Sequence, residues 1–289
     1  MANIVYLNGE LVPRRRASIS ALDYGFLYGF GLFETMRAYD GKVFRLYGHI
    51  NRLADAADRL GFSLDKVEIL KAVSDTIRAN RLVDARVRVT VSAGEGAINA
   101  NLLSCRQPTL LVVAEGYKPY AKEVYEKGFR AVVSKTRRNS QSVTSGMKST
   151  SYIDSMLIKQ EAGDAGADEA VCLDEKGYLA EAAMSNIFIV FNNVLKTPRP
   201  ESGILPGITR QAVLELACGM GVESLECDLQ PEELYRAHEA FLTNSLIEIM
   251  PLIEVEGEKI DSGKPGPLTS RFIAAYKEMV TCENINKPT

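Results

Sequence analysis

Two dipeptides near the start of the chain constrain its fold more than any other feature. Asn8-Gly9 splits the apolar-alternating run IVYLNGELV, and Asp40-Gly41 does the same within GLFETMRAYDGKVFRL. Asn-Gly and Asp-Gly readily supply the positive-φ pair of a tight hairpin turn, so each predicts two antiparallel strands joined by a two-residue loop. Helical periodicity follows. HINRLADAADRL sets Ile50, Leu53, Ala54, Ala57 and Leu60 on one face and stops at Gly61, and a second helix is predicted from Asp65 to about Leu82. ARVRVTVSA then alternates as a strand with Arg86, Arg88 and Thr90 on one face, and TLLVVAE reads as another.

The segment GYKPY, with Gly, Pro and no apolar period, is the best interdomain linker. Beyond it come a strand at FRAVVSK, a helix in YIDSMLIKQEAGDAG, and strands around EAVCLD, NIFIV and NVLKT. A Pro-Gly turn opens a helix in GILPGITRQAVLELACGMG, strands follow in VESLECDL, EAFLTNS and PLIEVEGEKI, and a last helix starts after Pro267. No internal repeat interrupts this order. The expected architecture is a two-domain α+β fold: a small N-terminal α/β domain over 1–115, a linker at 116–121 and a larger C-terminal domain over 122–289.

Composition matters mainly for what it excludes. A net charge of −3 gives no hint of nucleic acid or an anionic membrane surface. No apolar run reaches the roughly 18 residues of a membrane-spanning helix. The opening MANIVYLNGELVP has neither a basic nor an apolar signal region, so it is not a secretory signal and a cytoplasmic protein is expected. Five scattered cysteines without a C-x-x-C pair argue against a disulfide framework or thiolate zinc site and fit a reducing compartment. His49 and His238 are the only histidines, so no three-histidine metal site can form, and no metal is expected.

Several residues could carry chemistry, each with a plainer alternative. In GILPGITRQAV, Gly207 permits a tight turn, and the amides of Ile208 and Thr209 are orphan donors at a helix start. Together with the Thr209 hydroxyl they make a phosphate seat, though any helix after a turn has the same ends. GEG at 94–96 lacks the third glycine of a dinucleotide loop, and no G-x-x-x-x-G-K-[ST] occurs. Arg86 and Arg88 could clamp a carboxylate from one strand face, or simply point to water. Lys148, between a polar loop and an amphipathic helix, is either solvated or, if buried, a nucleophilic amine suited to a Schiff base. Glu181 sits between an expected strand and the apolar NIFIV, and reads as a site acid or a strand-end charge.

Taken together, these pieces resemble the class IV, fold-type IV pyridoxal-phosphate enzymes, which include branched-chain aminotransferases, D-amino-acid aminotransferases and aminodeoxychorismate lyases. The similarity runs from LNGELVP through DYGFLYGFGLFETMRAYDGKVFRLYGHINRL to the long block from MKSTSY to NIFIV, then GILPGITR and EAFLTNSLIEIMPL. It implies that the larger domain has a β-barrel-like core and binds pyridoxal 5'-phosphate. By that resemblance Lys148 holds the cofactor as a Schiff base and shuttles the proton between substrate Cα and cofactor C4′. Glu181 meets the pyridine nitrogen, Tyr152 the 3-hydroxyl and Leu205 the ring face. Arg52, Ile208, Thr209 and Ser245 hold the phosphate.

The resemblance further implies a substrate side of Tyr28, Phe33, Thr35, Arg37 and Arg88, with Arg88 and then Arg37 as carboxylate partners. It implies a homodimer in which the loop GEGAINANLLSCRQ covers the partner's site. The expected function is an aminotransferase exchanging an amino group between an amino acid, of branched-chain or D type, and a 2-oxo acid. A lyase releasing pyruvate and 4-aminobenzoate is the alternative, and a non-catalytic cofactor-binding protein the third reading. Phe30 for a common acid and Ala182 for a frequent glycine blur the subfamily, while Phe33-Glu34-Thr35 where branched-chain enzymes show Phe-Glu-Gly, the short Lys148-to-Tyr152 spacing, LTNS and GKPGPLT lean toward the lyase and D-amino-acid branches.

Overall fold

Both hairpins form, with the expected dipeptides in their turns. Leu7 pairs with Glu10 around Asn8 (φ 47°) and Gly9 (φ 97°), and Tyr39 with Lys42 around Asp40 (φ 50°) and Gly41 (φ 75°). The computed structural model describes residues 3–105 and 107–286. Arg106, in the loop expected to reach a partner, lies outside the described residues. The chain divides into two units. The first runs to Lys118 and takes in Met147–Ser151 and the stretch from Glu283; the second comprises Pro119–Gly146 and Tyr152–Cys282.

The first unit contains β1 (Ile4–Leu7), β2 (Glu10–Pro13), α1 (Tyr24–Tyr28), β3 (Gly31–Tyr39), β4 (Lys42–Val43), α2 (Leu46–Arg59), α3 (Lys66–Ala79), β5 (Ala85–Ser92) and β6 (Thr109–Gly116). Its sheet has the order β2-β1-β6-β5-β3-β4, every pairing antiparallel. Strand alternation aims Leu32, Met36, Val87 and Val89 into a core shared with Ile50, Leu53 and Ala57 of α2 and Ile69, Val73 and Ile77 of α3. Asp65 caps α3 by accepting from the amides of Val67 and Glu68. That helix stops at Ala79, short of Leu82, because the Asn80 side chain bonds the Thr76 and Ile4 carbonyls and Arg81 turns to φ 53°. The five-residue α1, absent from the sequence reading, is too short to show a period; Asp23 caps it and Gly29 ends it at φ 63°.

The second unit contains α4 (Lys122–Lys127), β7 (Phe129–Val133), α5 (Ile153–Asp164), β8 (Glu169–Leu173), β9 (Leu179–Ala182), β10 (Asn186–Phe191) and β11 (Val194–Pro198). It continues with α6 (Ile208–Gly219), β12 (Ser224–Cys227), α7 (Pro231–Tyr235), β13 (Glu239–Asn244), β14 (Glu248–Val255), β15 (Glu258–Lys259) and α8 (Pro267–Asn286) up to Cys282, the end of that helix falling in the first unit. The main path is β12-β11-β10-β13-β14-β7-β8-β9, with β15 paired to β14. Although β9 ends that path, it packs against β10 and β11, so the sheet curls on itself as a half-barrel. Strands lining such an interior are buried on both faces, which is why residues 170–173 of β8 and 187–190 of β10 run apolar rather than alternating. Glu181 lies inside β9 rather than after a strand; the four-residue LAEA is too short and too alanine-rich to read as one.

Candidate active site

In the first unit the site residues gather on two faces of β3. Odd positions carry Phe33, Thr35 and Arg37, and the register sets Thr35 beside Arg88 and Phe33 beside Thr90 of β5. Lys148 joins this face through its backbone. The Phe33 amide donates to the Lys148 carbonyl at 2.8 Å, and Leu32 and Ser149 form an isolated antiparallel bridge. The Lys148 Nζ then lies 4.7 Å from the Phe33 ring centroid, and the Arg88 guanidinium 3.8 Å from it. Two cations thus share one aromatic ring. Arg37 is buried and lies over the Tyr39 ring at 4.3 Å and the Tyr117 ring at 5.2 Å. Arg86, its neighbour in register, pairs with Glu115 at the surface, so of the two β5 arginines only Arg88 stacks on Phe33. Tyr28, half exposed, packs edge-on against Tyr24.

On the opposite face of β3, in phase with Leu32 and Met36, sits a fully buried carboxylate. Arg52 of α2 reaches Glu34 with Nε to Oε1 and Nη2 to Oε2, both at 2.7 Å. His49, one helical turn earlier, brings its Nδ1 to Oε2 at 2.8 Å. Burial alone would raise the Glu34 carboxyl, but the Arg52 charge and the His49 contact outweigh it and bring the pKa down to about 2. Burial pushes the His49 pKa below its ordinary value against the pull of Glu34, helped by the positive charges of Arg52 and Lys148. The cluster is therefore a carboxylate, a guanidinium and a neutral imidazole. An ionised carboxylate only accepts, so Nδ1 carries the imidazole proton.

The second unit supplies another acid with a different setting. Glu181 on β9 accepts from the Leu205 amide at 3.1 Å, receives Asn186 Nδ2 at 3.5 Å and faces Arg138 Nε at 3.4 Å. Asn186 also donates to the Leu205 carbonyl at 2.8 Å and so holds the 203–207 turn in place. A Cβ on Gly207 would lie 2.0 Å from Asn186 Oδ1; no larger residue fits that approach. Arg138 donates to Ser155 Oγ at 2.9 Å. Tyr152 precedes α5, and burial raises its pKa, partly offset by a Ser155 hydrogen bond and reinforced by Glu181. Glu34, His49, Arg138 and Asn186 were not singled out from the sequence. The strict alternation of GLFETMRAY puts Glu34 in phase with core residues, and that was a readable signal; Arg138 had none.

The donor set of this unit suits a phosphorylated pyridine. The twelve-residue α6 begins after Gly207 with no side-chain cap, leaving the Ile208 and Thr209 amides at its positive end. Thr209 is buried beside them. On β13, against which α6 packs, the Thr243 hydroxyl is buried with no hydrogen-bond partner among the described residues, two positions before Ser245. Unspent buried donors are costly unless something accepts from them. Glu181 offers a carboxylate for a protonated ring nitrogen.

Comparison with known proteins agrees with this geometry. Residues 31–255 match the family model for amino-transferase class IV. A Methanocaldococcus jannaschii protein carrying a provisional branched-chain-amino-acid aminotransferase name is 40% identical over 280 residues, spanning 96% of each chain. The aminodeoxychorismate lyase of Bacillus subtilis is 34% identical over 281 residues, covering 96% of this chain and 94% of its own. A T.th. branched-chain amino acid aminotransferase, solved with pyridoxamine 5'-phosphate, superposes with a TM-score of 0.93 at 31% identity, covering 97% of this chain and 95% of its own. The chain belongs to the class IV aminotransferases, a pyridoxal-phosphate-dependent family with the fold-type IV architecture. Among the described residues no helix is long and apolar enough to cross a membrane.

Proposed function

We propose that this aminotransferase holds pyridoxal 5'-phosphate on Lys148 and moves the amino group of a branched-chain amino acid to a 2-oxo acid. The observation that carries the reading is the anchoring of Lys148: its backbone is bonded to β3 and its ammonium lies over Phe33, which is not the setting of a solvated surface lysine. When bound, the cofactor supplies a conjugated ring that accepts the electron pair released at the substrate Cα. Once the substrate has replaced it on the cofactor, the freed Lys148 amine would take the substrate Cα proton as a base and give it back as an acid. Glu181 keeps the ring nitrogen protonated, and the Tyr152 phenol, held protonated by burial, donates to the 3-oxygen. Leu205 would lie against the ring. Arg52, the Ile208 and Thr209 amides, the Thr209 hydroxyl and Ser245 take the phosphate.

On the substrate side, Arg88 and Arg37 take the carboxylate, while Tyr28, Phe33 and Thr35 contact the amino-acid side chain. The branched-chain preference follows the names of the relatives at 31% and 40% identity. The working form is a homodimer, the loop at 94–107 reaching the partner; light scattering giving only monomer mass would remove that part. In a spectral half-reaction, L-leucine, L-isoleucine or L-valine alone should bleach the absorbance of the lysine-bound cofactor, and a 2-oxo acid should restore it. D-alanine alone should not. Lys148→Ala should lose both the absorbance and turnover, and persistent transamination in that variant would sink the assignment.

The 34% identity to the Bacillus subtilis enzyme over nearly the full length, with Thr35 after Phe33-Glu34, favours a second reading. In it the same machinery releases pyruvate and 4-aminobenzoate from aminodeoxychorismate. Pyruvate formed with no oxo-acid acceptor present would decide for it.

A further inference from the structure

Arg52 and His49 stand three residues apart on α2, so both reach across to β3 from one helix face. The acceptor they share is Glu34, whose side chain is shielded from solvent on all sides. Its two oxygens engage Nε and Nη2 of the guanidinium in a fork, a geometry that fixes the plane of the group and not merely its charge. The fork uses two of the five N–H donors of arginine. His49 Nδ1 meets the same Oε2 that accepts from Nη2, so the carboxylate cannot rotate about its last torsion without giving up contacts on both sides. Its backbone is held as well, since Glu34 pairs with Val89 in the middle of the sheet. Arginine has a long, flexible stem, and freezing it costs rotamer entropy that a lone phosphate contact must otherwise meet.

We propose that Glu34 is a positioning residue for cofactor phosphate, holding the Arg52 guanidinium in the orientation that grips the anion, with His49 bracing the Glu34 carboxylate. This rests on the reading of Arg52 as a phosphate partner. Without Glu34 the guanidinium keeps its charge but loses its preset plane. Affinity for the phosphate end of the cofactor should then fall, while affinity for the ring should not.

The test compares two probes, pyridoxal 5'-phosphate and pyridoxal, titrated into the cofactor-stripped full-length protein and followed by absorbance. The ratio of the two affinities isolates the phosphate contribution. In Glu34→Gln that ratio should drop about tenfold or more, and pyridoxal affinity should stay within about threefold of wild type. Arg52→Gln should lower the ratio at least as far, and the double variant Glu34→Gln/Arg52→Gln should be no worse than Arg52→Gln alone, since both act on one contact.

An unchanged ratio in Arg52→Gln would remove the phosphate role of Arg52. A lowered ratio there with a wild-type ratio in Glu34→Gln would overturn the positioning role of Glu34 and leave that of Arg52 intact. Additive losses in the double variant would also overturn it. Should Glu34→Gln fail to fold, Glu34→Asp keeps the charge and shortens the reach by one methylene. A lowered ratio in that variant supports the proposal, and a wild-type ratio refutes it.

Discussion

Two of the buried glutamates, Glu34 and Glu181, illustrate two uses of one side chain. Glu34, in the first unit, is held by three contacts of 2.7–2.8 Å to Arg52 and His49. Glu181, in the second, is held by its own unit through contacts of 3.1, 3.4 and 3.5 Å. Short charge-assisted bonds fix a carboxylate more firmly than long ones do. Burial is common to both, so burial alone does not distinguish a structural acid from a working one. Bond length and the nature of the donors do.

The sharpest way to break this contrast is to exchange each carboxylate for its amide. Glu181→Gln should lower kcat by roughly 10³-fold, because a neutral amide no longer keeps the ring nitrogen protonated. Its melting temperature should stay close to wild type. A kcat within tenfold of wild type would show that the second acid does no chemistry. Glu34→Gln should do the reverse in kind, costing about 3 kcal/mol of unfolding free energy in urea because the Arg52 guanidinium loses the carboxylate that neutralises it. A loss below about 1 kcal/mol would place Glu34 among dispensable residues.

Acid titration sharpens the same comparison. The Glu34 carboxyl stands at about 2 in the folded protein against an ordinary 4.5. A depressed carboxylate means that the unfolded chain binds more protons at low pH. The stability it contributes is full above pH 4.5 and is lost as pH falls from 4.5 towards 2. Over that window urea unfolding should lose about 3 kcal/mol in the wild type, and the slope should be much shallower in Glu34→Gln. Equal slopes would remove the ion pair as its cause.

Smaller effects separate the arginines of β5. Arg88→Ala removes the guanidinium over Phe33, the carboxylate partner of the proposed function, so KM for the amino acid should rise about tenfold, with kcat less affected. Arg86→Ala removes only a surface pair with Glu115 and should change stability by less than about 0.5 kcal/mol and KM not at all. If both variants behave alike, the stacking of Arg88 has no bearing on substrate.

How much of this was legible in the chain can be judged residue by residue. Both hairpins were, because Asn8-Gly9 and Asp40-Gly41 meet a backbone requirement that few other dipeptides meet. Helix α2 was too, since its apolar stripe repeats over three turns. The start of α6 was legible as a turn and helix, yet nothing in GILPGITR says that Gly207 must admit the side chain of Asn186. β9 escaped notice because Leu179–Ala182 is short and Glu181 interrupts its apolar run. The partnership of Glu34 with Arg52 and His49 escaped as well, although its three residues were in plain view, because a carboxylate in phase with a core face reads as an anomaly until its partners are found on the helix packed against the sheet.

Local order was therefore set by the chain alone: turn positions, helix caps and faces, and the alternation of β3 and β5 are fixed by interactions among near neighbours in sequence. Which acid meets which cation was not. Arg52 lies 18 residues from Glu34, Leu205 lies 24 from Glu181, and Lys148 is bonded to Phe33 across 115 residues of chain. Such pairings exist only once strands have found their register and helices their sheet, and the burial that makes them strong is a property of the packed protein rather than of any segment in it.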